Sequence, residues 1–147
     1  MPNENSLAAT FQMQRGSLFA DVSFTVEPGK PLAVLGSNGS GKSSLLHALS
    51  GLIAIRAGRI ALANITLDAP GEGCFVPPAE RRTSIVFQDY RLFGWLSVRG
   101  NLDFAVRAQA RTGTVGVSEI DELMTRFELD QIAGHRASAL SGGQSQR

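Results

Sequence analysis

The chain has 147 residues, of which 43% are apolar, and its 14 lysines and arginines against 13 acidic residues leave a net charge of +1. That length suits about one domain, and a balance so near neutral excludes a broad electrostatic footprint for nucleic acid or anionic lipid. The one cysteine, Cys74, excludes a disulfide scaffold, suits a reducing compartment and lacks the companions of a zinc site, so it reads as a loop or partly buried thiol. Apolar stretches such as Leu52 to Ile55 fall far short of the roughly 20 residues of a spanning helix. Met1 to Ser6 shows no basic region followed by an apolar one. A cytosolic chain is expected.

Taken in order, Ala8 to Met13 and Val22 to Val26 read as strands, the second alternating Val22, Phe24 and Val26 with Ser23 and Thr25. Arg15-Gly16-Ser17 reads as a hairpin turn and Glu27-Pro28-Gly29-Lys30 as a second turn. Pro31 to Leu35 is apolar without alternation, as for a strand buried on both faces of a parallel sheet. A glycine-rich turn follows, then a helix from Lys42 to Ser50 with Leu45, Leu46 and Leu49 on one face and Gly51 as its stop. Gly58 to Leu62 and Ile65 to Leu67 are expected as antiparallel strands, Asp68 to Gly73 and Pro77-Pro78 as loop, and Ser84 to Phe87 as another buried strand. From Ser97 the pattern turns helical. Arg111 to Thr114 reads as a loop and Ser118 to Asp121 as a capping box opening a helix. Ile120, Leu123, Met124 and Phe127 then form one apolar stripe. The expected division is a core over 1–89 and a helical subdomain over 90–147.

Gly36-Ser37-Asn38-Gly39-Ser40-Gly41-Lys42-Ser43 satisfies the P-loop pattern GxxxxGK[ST] at every specified position, followed by Ser44. Its glycines let successive N–H groups turn inward on phosphate oxygens, and the helix N-terminus adds partial positive charge. Lys42 is the expected partner of the β- and γ-phosphates of ATP, and the Ser43 hydroxyl the expected ligand of Mg²⁺.

Far downstream stands Leu140-Ser141-Gly142-Gly143-Gln144, and between the two motifs Val86-Phe87-Gln88-Asp89. With this P-loop, LSGGQ and a glutamine-tipped strand in this order, the chain resembles the ATP-binding-cassette (ABC) ATPases over nearly its whole length. The resemblance implies an α/β P-loop NTPase fold: a RecA-like parallel sheet, an N-terminal antiparallel sheet and an inserted helical subdomain carrying the signature. It implies that Gln88 reaches toward Mg²⁺ and the attacking water. It further implies that Ser141, Gly142 and Gly143 offer donors to a γ-phosphate on a second ATPase subunit in a head-to-tail dimer. The implied partners are transmembrane permease subunits and, indirectly, a periplasmic or extracellular solute-binding protein. The implied location is cytoplasmic, peripheral on the inner face of the membrane.

Val76-Pro77-Pro78-Ala79-Glu80-Arg81-Arg82, then Arg91-Leu92-Phe93 and Val98-Arg99-Gly100-Asn101-Leu102, resemble the ATPase subunits of molybdate importers. Importers of thiamine, sulfate and iron share much of this texture and stay open as alternatives. So do an ABC ATPase without a membrane partner and a remnant that does not hydrolyse ATP. The family's adenine-stacking aromatic falls near Met13, with Phe11 and Phe19 nearby, and strand packing is the simpler role of both phenylalanines. The family's Walker B carboxylates, D-loop and switch histidine have no counterpart before Arg147, so a piece of a longer ATPase is expected. His47, His135, Asp121, Glu122 and Asp130 are not expected to replace them.

Overall fold

A computed structural model describes residues 5–110 and 117–147. The chain forms two compact units, Met1–Ile85 and Val86–Arg147, where the sequence reading divides it after Asp89.

In the first unit β1 (Leu7–Arg15) and β2 (Leu18–Val26) pair antiparallel from Leu7↔Val26 to Arg15↔Leu18, around a turn in which Gly16 takes φ 59°. The period-2 geometry of β1 sends Ala9, Phe11 and Met13 inward. Thr10 and Gln12 meet Ser23 and Asp21 across the other face, at 2.9 and 2.8 Å. β3 (Ala57–Leu62) pairs with the free side of β1, followed by β4 (Ile65–Ala69) and β5 (Cys74–Phe75). The result is one five-stranded sheet in the order β2-β1-β3-β4-β5, antiparallel at every pairing.

α1 (Lys42–Leu49) packs on that sheet: Leu45 and Ala48 join Ala9, Phe11, Met13, Ile55, Ile60 and Leu67 in one core. The packed stripe is Leu45, Ala48 and Leu49; the expected third member, Leu46, is 46% exposed. Positions i, i+3 and i+4 share a helix face, and the adjacent residue is rotated off it.

The two strands expected to be buried in a parallel sheet are not formed. Residues 31–35 and 84–87 have no ladder, with Leu35 91% and Val86 82% exposed. A strand of that kind persists only where neighbours take up its N–H and C=O groups. Among the described residues every ladder belongs to the antiparallel sheet. Asp68 also departs from expectation: it lies within β4, fully buried, and the loop starts only after Ala69 with a 3₁₀ turn over Pro70–Glu72. Cys74 stands in β5, half-buried, its Sγ 3.6 Å from the Thr66 carbonyl.

The second unit contains α2 (Val98–Ala110), α3 (Val117–Arg126) and the short α4 (Gly142–Gln146). Its core is Val98, Ile120, Met124 and Leu129, with Leu102, Val106, Ile132 and Leu140 packed against it. Of the stripe expected on α3, Ile120 and Met124 are buried whereas Leu123 and Phe127 are 42% and 44% exposed. The buried contact is therefore the i, i+4 pair alone. The Arg111–Thr114 loop and the side chains of Ser118 and Glu119 lie outside the described residues. Arg99 ties α2 to α3 through Asp121, at 2.6 Å, and that hydrogen bond is the main cause of a guanidinium pKa above its ordinary value. Backbone bonds from Val98 to His135, Ala137 to Leu96 and Ser138 to Gly94 lace the approach to α4 onto the start of α2.

Burial separates the two phenylalanines of the first hairpin: Phe11 is 1% and Phe19 55% exposed. Phe11→Ala should cost about 3–5 kcal/mol, as for a core aromatic, and Phe19→Ala about 0.5 kcal/mol or less. Urea unfolding midpoints of the two variants check this difference.

Candidate functional site

The glycine loop between β2 and α1 is set by its backbone. Gly39 takes φ 82°, and Gly41 is the N-cap of α1 at φ 95°, a left-handed conformation open to glycine at little cost. A Cβ on Gly41 would stand 2.8 Å from Leu18 Cδ2, and one on Gly36 would stand 2.6 Å from Ser40 Oγ. The Ser40 amide closes a turn onto the Ser37 carbonyl at 3.2 Å. No side chain caps α1, so the N–H groups of its first turn stay directed out of the helix. The first regular bond of the helix runs from the Leu45 amide to the Gly41 carbonyl at 2.8 Å.

Lys42 folds back over this loop. Its Nζ donates to the carbonyls of Gly36 and Ser37, at 2.9 and 2.7 Å. The ammonium is thus held beside the same backbone whose amides line the turn. Ser37, Asn38 and Ser43 are exposed. Ser44 is buried. A cradle that a side chain would fill, a cation laid across it and an open helix N-terminus together fit a phosphate group.

Leu140 to Gln144 sits in the second unit. Ser141 is the N-cap of α4 and forms a complete capping box: the Gln144 amide donates to Ser141 Oγ at 3.3 Å, and the Ser141 amide to Gln144 Oε1 at 2.9 Å. Gly142 and Gly143 occupy the first helical positions, exposed. Gln88 is exposed among the first residues of the same unit, just before a strained turn in which Tyr90 and Arg91 take φ 52° and 50°. The Arg91 guanidinium lies 4.2 Å from the Phe87 ring centroid. Of the three adenine-stacking candidates, Phe11 and Met13 are closed inside the core and Phe19 is exposed. Among the described residues no cluster of three or more His, Cys, Asp or Glu could hold a metal.

Beside Asp68, a second buried charged group escaped the sequence reading. Arg81, quoted there only as part of a Pro-Pro-x-x-Arg-Arg run, is 1% exposed and pairs with Asp68 at 3.4 Å. Charge runs usually lie on solvated faces, and no local pattern marks this one as an exception.

The fold is that of solved ATP-binding cassettes. A cassette solved as a dimer in a post-hydrolysis state with ADP and Pi superposes with a TM-score of 0.69 at 25% identity, over 96% of this chain and 65% of that one. The ATP-binding subunit of an ABC transporter superposes with a TM-score of 0.74 at 23% identity, over 97% and 58%. This likeness and the glycine loop define the class, a P-loop NTPase.

Within that class the chain belongs to the ABC transporter family, whose model matches residues 19–147. It is 34% identical to the molybdenum import ATP-binding protein ModC of Brucella abortus (strain 2308), over 97% of this chain and 39% of that protein. It is 35% identical to the thiamine import ATP-binding protein ThiQ of Jannaschia sp. (strain CCS1), over 92% and 57%. It is 33% identical to the spermidine/putrescine import ATP-binding protein PotA of Pseudomonas fluorescens (strain Pf0-1), over 86% and 34%. The chain therefore spans about two fifths of the molybdenum import proteins' length.

Proposed function

We propose that this chain is the nucleotide-binding part of the ATPase subunit of an ABC importer, and that the imported solute is molybdate. The observation that carries the reading is the phosphate loop itself, with Lys42 Nζ held between the Gly36 and Ser37 carbonyls. Incoming phosphate oxygens exchange those two neutral acceptors for charged ones, adding attraction between opposite charges to bonds that the ammonium already makes charge-assisted. The backbone of Gly36, Ser37, Asn38, Gly39, Ser40 and Gly41 encloses the phosphate, with the first-turn amides of Lys42, Ser43 and Ser44 at the positive end of α1. Bound Mg²⁺ would neutralise charge on the β- and γ-phosphates, with the hydroxyl of Ser43 and the amide oxygen of Gln88 as its ligands from this chain. Gln88 would also orient the attacking water.

The signature residues Ser141, Gly142 and Gly143 act toward a second subunit's nucleotide in a head-to-tail dimer. Their capping box supports this, because it satisfies the Ser141 and Gln144 amides internally and leaves those of Gly142 and Gly143 for a ligand. The molybdate assignment rests on the molybdenum import relatives and the Pro-Pro-x-x-Arg-Arg run. The thiamine and polyamine import relatives are the alternatives.

We assign the permease surface to Gln88 to Asn101. There Tyr90, Leu92 and Asn101 help line a recess of about 250 Å³ whose wall is apolar at Leu102 and Leu140 and polar at Gln144 and Arg147, and Trp95 stands 73% exposed. Phe93 has a different part, since its ring meets both Phe104, at 4.6 Å between centroids, and Trp95, at 5.3 Å. No helix among the described residues is long and apolar enough to cross a membrane. Attachment to the inner face of the membrane would come through that permease contact.

Two experiments test the reading. Lys42→Ala removes charge-assisted contacts worth about 1.5–3 kcal/mol, so affinity for a fluorescent ATP analogue should fall about ten- to a hundredfold. Equal affinity in the two proteins would mean that the loop is not the site. In the full-length subunit, Trp95→Ala should abolish permease stimulation while basal ATPase is retained, and Phe93→Ala should lower thermal stability. Loss of basal activity in Trp95→Ala would assign that side chain to internal packing.

A further inference from the structure

Arg81 makes more contacts than charge pairing needs. Its Nε donates to the Val76 carbonyl at 2.6 Å, and its Nη2 to the Leu67 carbonyl at 3.2 Å and Asp68 Oδ2 at 3.4 Å. Its Nη1 donates to the carbonyls of Ala48 and Leu49, at 3.0 and 3.1 Å. The guanidinium carbon lies 5.1 Å from the Phe75 ring centroid, within cation–π range. Gly51 keeps this place clear: it leaves α1 at φ 78°, and a Cβ there would stand 2.6 Å from Arg81 Nε.

Ala48 and Leu49 are the last two residues of α1, at the end of the helix that carries partial negative charge, and the Ala48 carbonyl also accepts from the Gly51 amide at 3.1 Å. A cation fixed to β4 thus caps the end of the helix opposite the phosphate loop. α1 has 8 residues, about 12 Å at 1.5 Å per residue, which leaves it too short to absorb a displacement by bending. A shift or tilt at Leu49 therefore reappears at Lys42.

We propose that Arg81 is a positioning residue for the phosphate loop, holding α1 at a fixed depth and tilt on the sheet so that Lys42 and the first-turn amides meet a nucleotide's phosphates in register. The proposal rests on the nucleotide site proposed above. Asp68 takes a separate part. Its Oδ2 accepts from Arg81 and from the Ile55 amide, at 3.4 and 3.3 Å, and neither donor belongs to α1. Lysine at position 81 keeps the charge but loses the fork that spans both helix carbonyls and β4.

The test compares Arg81→Lys, Asp68→Asn and Lys42→Ala in the 147-residue chain, each below its melting temperature. Affinity for a fluorescent ATP analogue and amide exchange at Leu45, whose acceptor is the Gly41 carbonyl at 2.8 Å, are measured together. Arg81→Lys should weaken analogue binding about tenfold, the scale of a site left loose by its support, and speed Leu45 exchange about tenfold through local opening. Asp68→Asn should lower the melting temperature with both quantities within about twofold of wild type, because the helix cap survives. An Arg81→Lys protein that melts lower, yet binds and exchanges like wild type, overturns the proposal and leaves Arg81 as packing. If Lys42→Ala binds as well as wild type, the nucleotide reading has failed, and Leu45 exchange alone then decides the positioning role. If Arg81→Lys does not fold, Gly51→Ala, which displaces the guanidinium, takes its place under the same two outcomes.

Discussion

The first unit hangs on one buried guanidinium. Arg81 gathers the end of α1, the Leu67 carbonyl of β4 and the chain beyond β5 onto a single planar group, with Asp68 as its counter-charge. Carbonyl dipoles, rather than the one carboxylate, supply most of its partners, so the charge is desolvated without being left unsatisfied. Removing one member of such a buried pair typically costs about 3–5 kcal/mol. That is a large part of the about 5–15 kcal/mol that holds a whole domain. The helix that opens the phosphate loop is therefore anchored by its far end, and its near end is left without a side-chain cap.

The two glycine motifs prepare their helices in opposite ways. α1 begins at Gly41, in a left-handed conformation closed to a side chain by Leu18, and no residue of its own takes up the first-turn amides. α4 begins at Ser141, whose capping box takes up two amides and leaves the pair on Gly142 and Gly143. In the proposed reading the first arrangement envelops a phosphate chain, and the second presents a narrow donor pair to one phosphate. The lysine belongs to the first motif alone, where it rests on carbonyls that a phosphate can replace.

Much of this was legible in the sequence because it is local. The alternation from Val22 to Val26 and the turn at Gly16 place the first hairpin, and the pattern from Gly36 to Ser43 places the loop and the start of α1. The misreadings have one common cause. The apolar runs at 31–35 and 84–87 look like buried strands, but a strand is defined by its neighbours, and no described segment pairs with either. Asp68 reads as loop because it is polar and leads into turn residues, and nothing in the Pro-Pro-x-x-Arg-Arg run marks Arg81 as buried. Their burial is decided by contacts between positions 13 to 33 apart in the chain, which no local pattern carries. Leu46 and Leu123 were placed on buried stripes because apolar character alone does not say which part of a wide helix face meets the core.

The central claim, that the Gly36–Ser43 loop binds nucleotide phosphates, is tested most directly by amide NMR of the folded chain titrated with ATP and Mg²⁺. The account predicts saturable shifts concentrated at residues 36–44, with the largest at Gly39, Gly41 and Lys42, and none when the titrant is adenosine. Shifts concentrated elsewhere in the chain, or the same shifts with adenosine, would contradict it.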